Sequence, residues 1–160
     1  MLNGQCLCGA VMFSLAQAPA TFYRCHCSLC RRQTGTGHNC ATIVAQAQFQ
    51  WTAGQSEIGS WQKPSGYRND FCRQCGSTVP NALRGTAFVW VPLGLLDDVG
   101  GMTCVGDFSL NDAMPWDTVR GRHGFDRPVQ SLEGLLGLIL TTPGSDARNG
   151  VCPDREGESI

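Results

Sequence analysis

Seven of the ten cysteines in this chain fall into three tight groups. They are Cys6-Leu7-Cys8-Gly9, Cys25-His26-Cys27-Ser28-Leu29-Cys30 and Cys72-Arg73-Gln74-Cys75-Gly76. Cys40, Cys104 and Cys152 stand alone. Two cysteines separated by two residues can turn back on one metal ion. A following glycine can take positive φ, which closes the turn and aims backbone N–H groups at the sulfurs. A Cys-x-Cys pair in extended chain puts both sulfurs on one face, because side chains alternate with period two. Each such hairpin holds half of a tetrahedral site. Cys6, Cys8, Cys72 and Cys75 together would make one closed four-thiolate zinc site, and clamping so long a loop would staple the domain. Spacing alone also allows Cys6 and Cys8 to combine with the middle group. Two further readings are buried free cysteines and a redox pair at Cys72/Cys75, which calls for a helix that the β-rich flanks do not provide.

The middle group carries the chemistry. Cys25, Cys27 and Cys30 supply three zinc ligands within six residues and leave a fourth position open, as catalytic zinc sites do. Three thiolates on Zn²⁺ leave a net negative centre, poor at making hydroxide. Such a centre suits a fourth thiol, held as a nucleophilic thiolate. The expected substrate is therefore a thiol or thioether. The competing arrangement is a second closed site, with Cys40 or a histidine as fourth ligand. His26 sits between two ligands and is expected to point to the opposite face, as a packing or supporting residue. His38 and His123 have no partner identifiable from sequence. Arg31 and Arg32 follow the triad and can offset its charge, bind a substrate carboxylate or simply face solvent.

The elements that must position these groups are short and β-rich. Val11–Leu15, Ala41–Val44, Phe49–Trp51, Glu57–Trp61, Ser77–Asn81 and Ala87–Val91 read as strands. Pro64-Ser65-Gly66 reads as a turn between two of them. Ser131 can cap a short helix that begins at Leu132, although two glycines inside it cost about 1 kcal/mol each. Residues 143–160 are polar and without apolar periodicity, and are expected to form a disordered tail after a single domain at 1–142.

Composition narrows the function. Ten cysteines in 160 residues are too few for a short disulfide scaffold, and the 42% hydrophobic content includes them. The apolar core is thus modest, and metal is the expected supplement. No run approaches the ~20 apolar residues of a membrane helix. Twelve basic against 13 acidic residues give no footprint for nucleic acid. The first residues lack a signal-peptide pattern, so the expected compartment is the reducing cytoplasm.

The three groups, in order and spacing, resemble the glutathione-dependent formaldehyde-activating enzymes, or GFA-domain proteins. The matching stretches are Gly4-Gln5-Cys6-Leu7-Cys8-Gly9-Ala10-Val11, Cys25-His26-Cys27-Ser28-Leu29-Cys30-Arg31 and Phe71-Cys72-Arg73-Gln74-Cys75-Gly76-Ser77. Weaker matches are Leu95-Leu96-Asp97-Asp98 and Met114-Pro115-Trp116-Asp117. The resemblance implies a mainly β, single-domain β-tent, with zinc-pinned antiparallel sheets and little helix. It implies a structural zinc on Cys6, Cys8, Cys72 and Cys75, and a second, catalytic zinc on Cys25, Cys27 and Cys30. The implied activity is that of a carbon–sulfur lyase which joins glutathione and formaldehyde as S-hydroxymethylglutathione, or handles a related thiol adduct. The alternative is a non-catalytic module with two structural zincs. Two departures touch the second site. Asp107 stands near the place where such proteins usually carry histidine, and Gln33–Cys40 is polar where an apolar stretch is usual.

Overall fold

Short apolar runs cut by glycine turns give a mainly β chain, seen in a computed structural model that describes residues 1–98, 100–118 and 131–140. One sheet has the order β1 (Leu2–Gln5), β2 (Met12–Leu15), β5 (Phe49–Ala53). A second has the order β11 (Thr103–Phe108), β3 (Thr21–Cys25), β4 (Asn39–Ala45), β10 (Phe88–Pro92), β9 (Asn81–Ala82). The third is β6 (Ile58–Gln62), β7 (Arg68–Cys72), β8 (Thr78–Val79). Helix is confined to α1 (Ser28–Thr34), α2 (Leu132–Leu140) and single 3₁₀ turns among the described residues. Pairing is antiparallel throughout except between β11 and β3, which run parallel. The expected domain end at 142, the tail at 143–160, His123 and Cys152 lie outside the described residues.

The central strand β4 is buried on both faces, so it reads as an apolar run rather than an alternation. Val44 joins Val89, Val91, Phe13 and Leu15 in one core, where Phe13 stacks on Phe49 with ring centroids 5.4 Å apart. Ala41 and Ile43 face the other way, against Tyr23, Trp90 and Phe108. Leu135 and Ile139 of α2 close this second core. The helix starts where the sequence places it: Gly134 N–H donates to Ser131 Oγ at 3.1 Å. A third, small core of Cys6, Val11, Cys72 and Val79 surrounds the first and third cysteine groups.

One glycine is indispensable to this arrangement. Gly54 leaves β5 at φ +74°, and a Cβ there would stand 1.8 Å from the Ala10 carbonyl oxygen. Backbone cannot move aside as a flexible side chain can. Gly54→Ala is therefore expected to destabilise the fold by at least about 2 kcal/mol, from left-handed strain plus overpacking. A lowered urea midpoint at unchanged m-value would show it.

Candidate metal centres

The first and third cysteine groups form two turns of the same kind. Gly9 N–H donates to the Cys6 carbonyl at 3.0 Å, and Gly76 N–H to the Cys72 carbonyl at 2.8 Å. Both glycines lie at positive φ, +76° and +77°. The turns are fastened to each other where Leu7 N–H donates to Ser77 Oγ at 3.1 Å. Cys6 Sγ is 3.6 Å from Cys8 Sγ, which is 3.8 Å from Cys72 Sγ. These separations are far beyond a disulfide bond. They match the edge of a tetrahedron whose centre is about 2.3 Å from each sulfur, which is about 3.8 Å. All four sulfurs lie within 4.8 Å of one another.

The electrostatics agree with that donor set. Hydrogen bonds from the Ser77 hydroxyl and backbone pull Cys75 down to about 5. The Ala10 N–H favours the Cys8 thiolate, but burial and the Cys75, Cys6 and Cys72 sulfurs outweigh it and push Cys8 up to about 12. Without a cation the group cannot hold four thiolates. A thiophilic divalent ion such as Zn²⁺ would supply the missing charge at the right spacing.

Cys25, Cys27 and Cys30 also converge, with their sulfurs within 4.8 Å of one another. Cys25 ends β3, Cys27 is the N-cap residue of α1, and Cys30 lies in that helix's first turn. The helix stops at Gly35, in the left-handed region at φ 69°. Hydrogen bonds from Cys25 and Cys30 bring Cys27 down to about 2. Cys27, followed by burial, pushes Cys25 up, although the Cys30 thiol opposes this. Cys30 is pushed up by Cys25, Cys27 and burial. Thiolates this close repel one another, so these donors too fit a thiophilic ion. No other His, Cys, Asp or Glu among the described residues groups with them. Cys40, the conceivable closing ligand, pairs with Arg24 while its neighbour Asn39 pairs with Cys25. Period-two alternation therefore turns Cys40 to the face away from Cys25.

Behind the triad lies a polar cluster that is only partly legible in the sequence. His26 is wholly buried. Its Nε2 is hydrogen-bonded with Asp107 Oδ1 at 2.9 Å and its Nδ1 with Asp117 Oδ2 at 2.8 Å. Asp107 also faces Arg24, whose Nε is 2.9 Å from Oδ1. His38, for which sequence offered no partner, donates from Nδ1 to the same Asp117 oxygen at 3.0 Å. The two residues are 79 positions apart, beyond any local pattern. Burial raises Asp117, but hydrogen bonds from His38 and His26 outweigh it and hold the carboxyl below its ordinary range. Gly37 makes room for that carboxylate, since a Cβ there would stand 2.4 Å from Asp117 Oδ2. Of the two arginines after the triad, Arg31 donates from Nε to the His26 carbonyl at 3.2 Å.

On its other side the triad meets a cavity of about 490 Å³, lined by Cys30, Asn39, Tyr67, Arg84 and Trp90 among others. Gln33 of α1 ties its wall together. It accepts from the Tyr67 hydroxyl and donates to Asn69 Oδ1 at 2.9 Å. Burial, then the negative charge of Cys30, Cys27 and Cys25, pushes the Tyr67 phenol upward, so it stays protonated.

Comparison with known proteins follows this geometry. The family model described as glutathione-dependent formaldehyde-activating enzyme matches residues 1–108. A Halomonas elongata protein provisionally named a glutathione-dependent formaldehyde-activating enzyme is 34% identical over 87 residues, covering 49% of this chain and 54% of that protein. The chain thus spans about half the length of the curated relative it matches. A crystal structure of a Rhodobacter sphaeroides protein superposes with a TM-score of 0.51 at 25% identity, covering 64% of this chain and 98% of that one.

Proposed function

This chain belongs to the glutathione-dependent formaldehyde-activating enzyme family, and on that premise we propose that it is a zinc-dependent carbon–sulfur lyase acting on glutathione or a related thiol adduct. The observation that carries the reading is the Cys25/Cys27/Cys30 group, which gathers no fourth ligand among the described residues and opens through Cys30 onto the cavity. Cys25, Cys27 and Cys30 would hold the zinc, which would keep an incoming thiol deprotonated. The chain's own residues do the rest. The cavity walls hold the thiol and its aldehyde partner against Cys30 and away from bulk water. In the synthetic direction a bond forms between the thiol sulfur and the aldehyde carbon. The electron pair of the carbonyl moves onto oxygen, which takes up one proton, balancing the one the thiol lost, and becomes the new hydroxyl. In reverse the same carbon–sulfur bond breaks and the hydroxyl proton leaves. The reduced thiols required suit a cytoplasmic setting.

The test is metal content of the reduced protein, with and without glutathione, repeated on Cys27→Ser. Two zinc ions per chain are expected in the unaltered protein and one in Cys27→Ser. With Co²⁺ in place of zinc, glutathione should shift the absorption of the Cys27-dependent ion. A second metal that ignores glutathione would sink the lyase reading. It would favour the non-catalytic module with two structural zincs.

A further inference from the structure

Asn39 opens β4 directly opposite Cys25 in the antiparallel register. Paired residues share a face, so its carboxamide lies on the same side of the sheet as the Cys25 thiol. The residue is only 3% exposed, and its Oδ1 has no hydrogen-bond partner among the described residues. It also lines the cavity that Cys30 enters. An unpaired buried polar atom is costly, and native folds hold few of them. Neighbouring polar groups in the same wall are satisfied: Gln33 uses both ends of its amide, on Tyr67 and Asn69. The buried unpaired oxygen of Asn39 lies beside the triad.

We propose that Asn39 is a specificity-determining residue, whose carboxamide selects thiols bearing a peptide-type amide beside the sulfur-carrying carbon, as a cysteinyl compound does, over simple alkyl thiols. The inference rests on the triad binding a thiol, as proposed above. In a cysteinyl compound the amide nitrogen is three bonds from sulfur, so a thiol at the triad brings its amide to the Cys25-facing wall. A peptide amide offers both an N–H and a C=O. That is the complement of a carboxamide in either orientation. A site built around such a group discriminates strongly against a ligand lacking it, because the buried partner is then left unpaired. A hydroxyalkyl thiol such as 2-mercaptoethanol offers no amide.

The experiment compares binding of N-acetylcysteine amide and 2-mercaptoethanol to the zinc-loaded protein by calorimetry, in the unaltered chain, Asn39→Leu and Asn39→Ala. The unaltered protein is expected to favour the amide-bearing thiol by about tenfold to a hundredfold. Both variants should lose that preference while still binding 2-mercaptoethanol, the leucine preserving size and the alanine opening space. Asn39→Leu should also unfold at an equal or higher temperature, since it removes an unsatisfied buried atom. A preference that survives in both variants, or is missing from the unaltered protein while thiols still bind, overturns the role of Asn39 alone. Failure of every thiol to bind the unaltered protein overturns both this inference and the lyase reading.

Discussion

Cys72→Ser is expected to abolish cooperative thermal unfolding, leaving a chain that melts gradually or aggregates as it is made. Cys72 is fully buried at the centre of the small third core. Its sulfur faces that of Cys8, 64 positions away in sequence. Serine offers a hard, neutral oxygen in a place built for a soft thiolate, and leaves a hydroxyl in an apolar pocket. The decisive comparison is between metal and core. A structural zinc contributes about 10–16 kcal/mol of binding energy, whereas whole domains have net stabilities of about 5–15 kcal/mol. Losing the former consumes the latter. Circular dichroism melts of Cys72→Ser, and of the unaltered protein under a strong chelator, should agree in showing no sharp transition. Cys27→Ser, which touches only the triad, should keep one. A cooperative melt of Cys72→Ser within a few degrees of the unaltered protein would mean that the sheets hold without the metal.

The part of this fold legible in the sequence is the part whose signal is local. The strands centred on Ala41–Val44, Phe49–Trp51 and Ala87–Val91 are apolar or aromatic runs, and they are strands. The turn at Pro64-Ser65-Gly66 also forms, with Gly66 at φ +96°. β7 carries no such run: Arg68-Asn69-Asp70 reads as a loop, and is held in a strand by pairing on both sides. Its buried Asp70 is tolerated because Arg68 grips both carboxylate oxygens at 2.7 Å. β11 has Gly106 and Asp107 in place of an apolar alternation, and its parallel pairing with β3 comes wholly from tertiary structure. The helix at Ser28–Thr34 buries only Cys30, so no apolar periodicity betrays it. Gly35 beyond its end, with two arginines before it, was the available sign. The cysteine groups are legible for a different reason. Metal ligands must share one small sphere, so local spacing carries information about distant partners. Carboxylates have no such constraint, which is why Asp107 and Asp117 gave no sign of meeting at His26.

His26→Leu is expected to cost about 3–5 kcal/mol, the penalty for removing one partner of a buried charged set and leaving the rest. The imidazole is the only described group that touches both Asp107 and Asp117, and all three are buried. Leucine of similar size fills the space but donates nothing. Asp107 keeps Arg24 and Asp117 keeps His38, so the chain should still fold with a lower urea midpoint. The electrostatic origin has its own signature. Asp117 is held below the ordinary carboxylate range, so its contribution is present above that range and lost as pH falls through its folded value. The gap between His26→Leu and the unaltered protein should therefore narrow on acidification, when the Asp117 carboxylate takes up a proton. Replacing the carboxylates as well, in His26→Leu/Asp107→Asn/Asp117→Asn, should recover part of the loss, because the three residues act as one unit. A penalty below about 1 kcal/mol, unchanged by pH, would show that His26 is mere filling. The consequence reaches the second candidate metal centre. His26 lies between Cys25 and Cys27, and its N–H donates to the Phe108 carbonyl at 2.9 Å. Its ring and backbone thus fix the strand-to-helix corner from which two of the three sulfurs project. His26→Leu should therefore weaken metal binding at the triad and spare the four-cysteine site, separating a residue that positions the ligands from one that only packs.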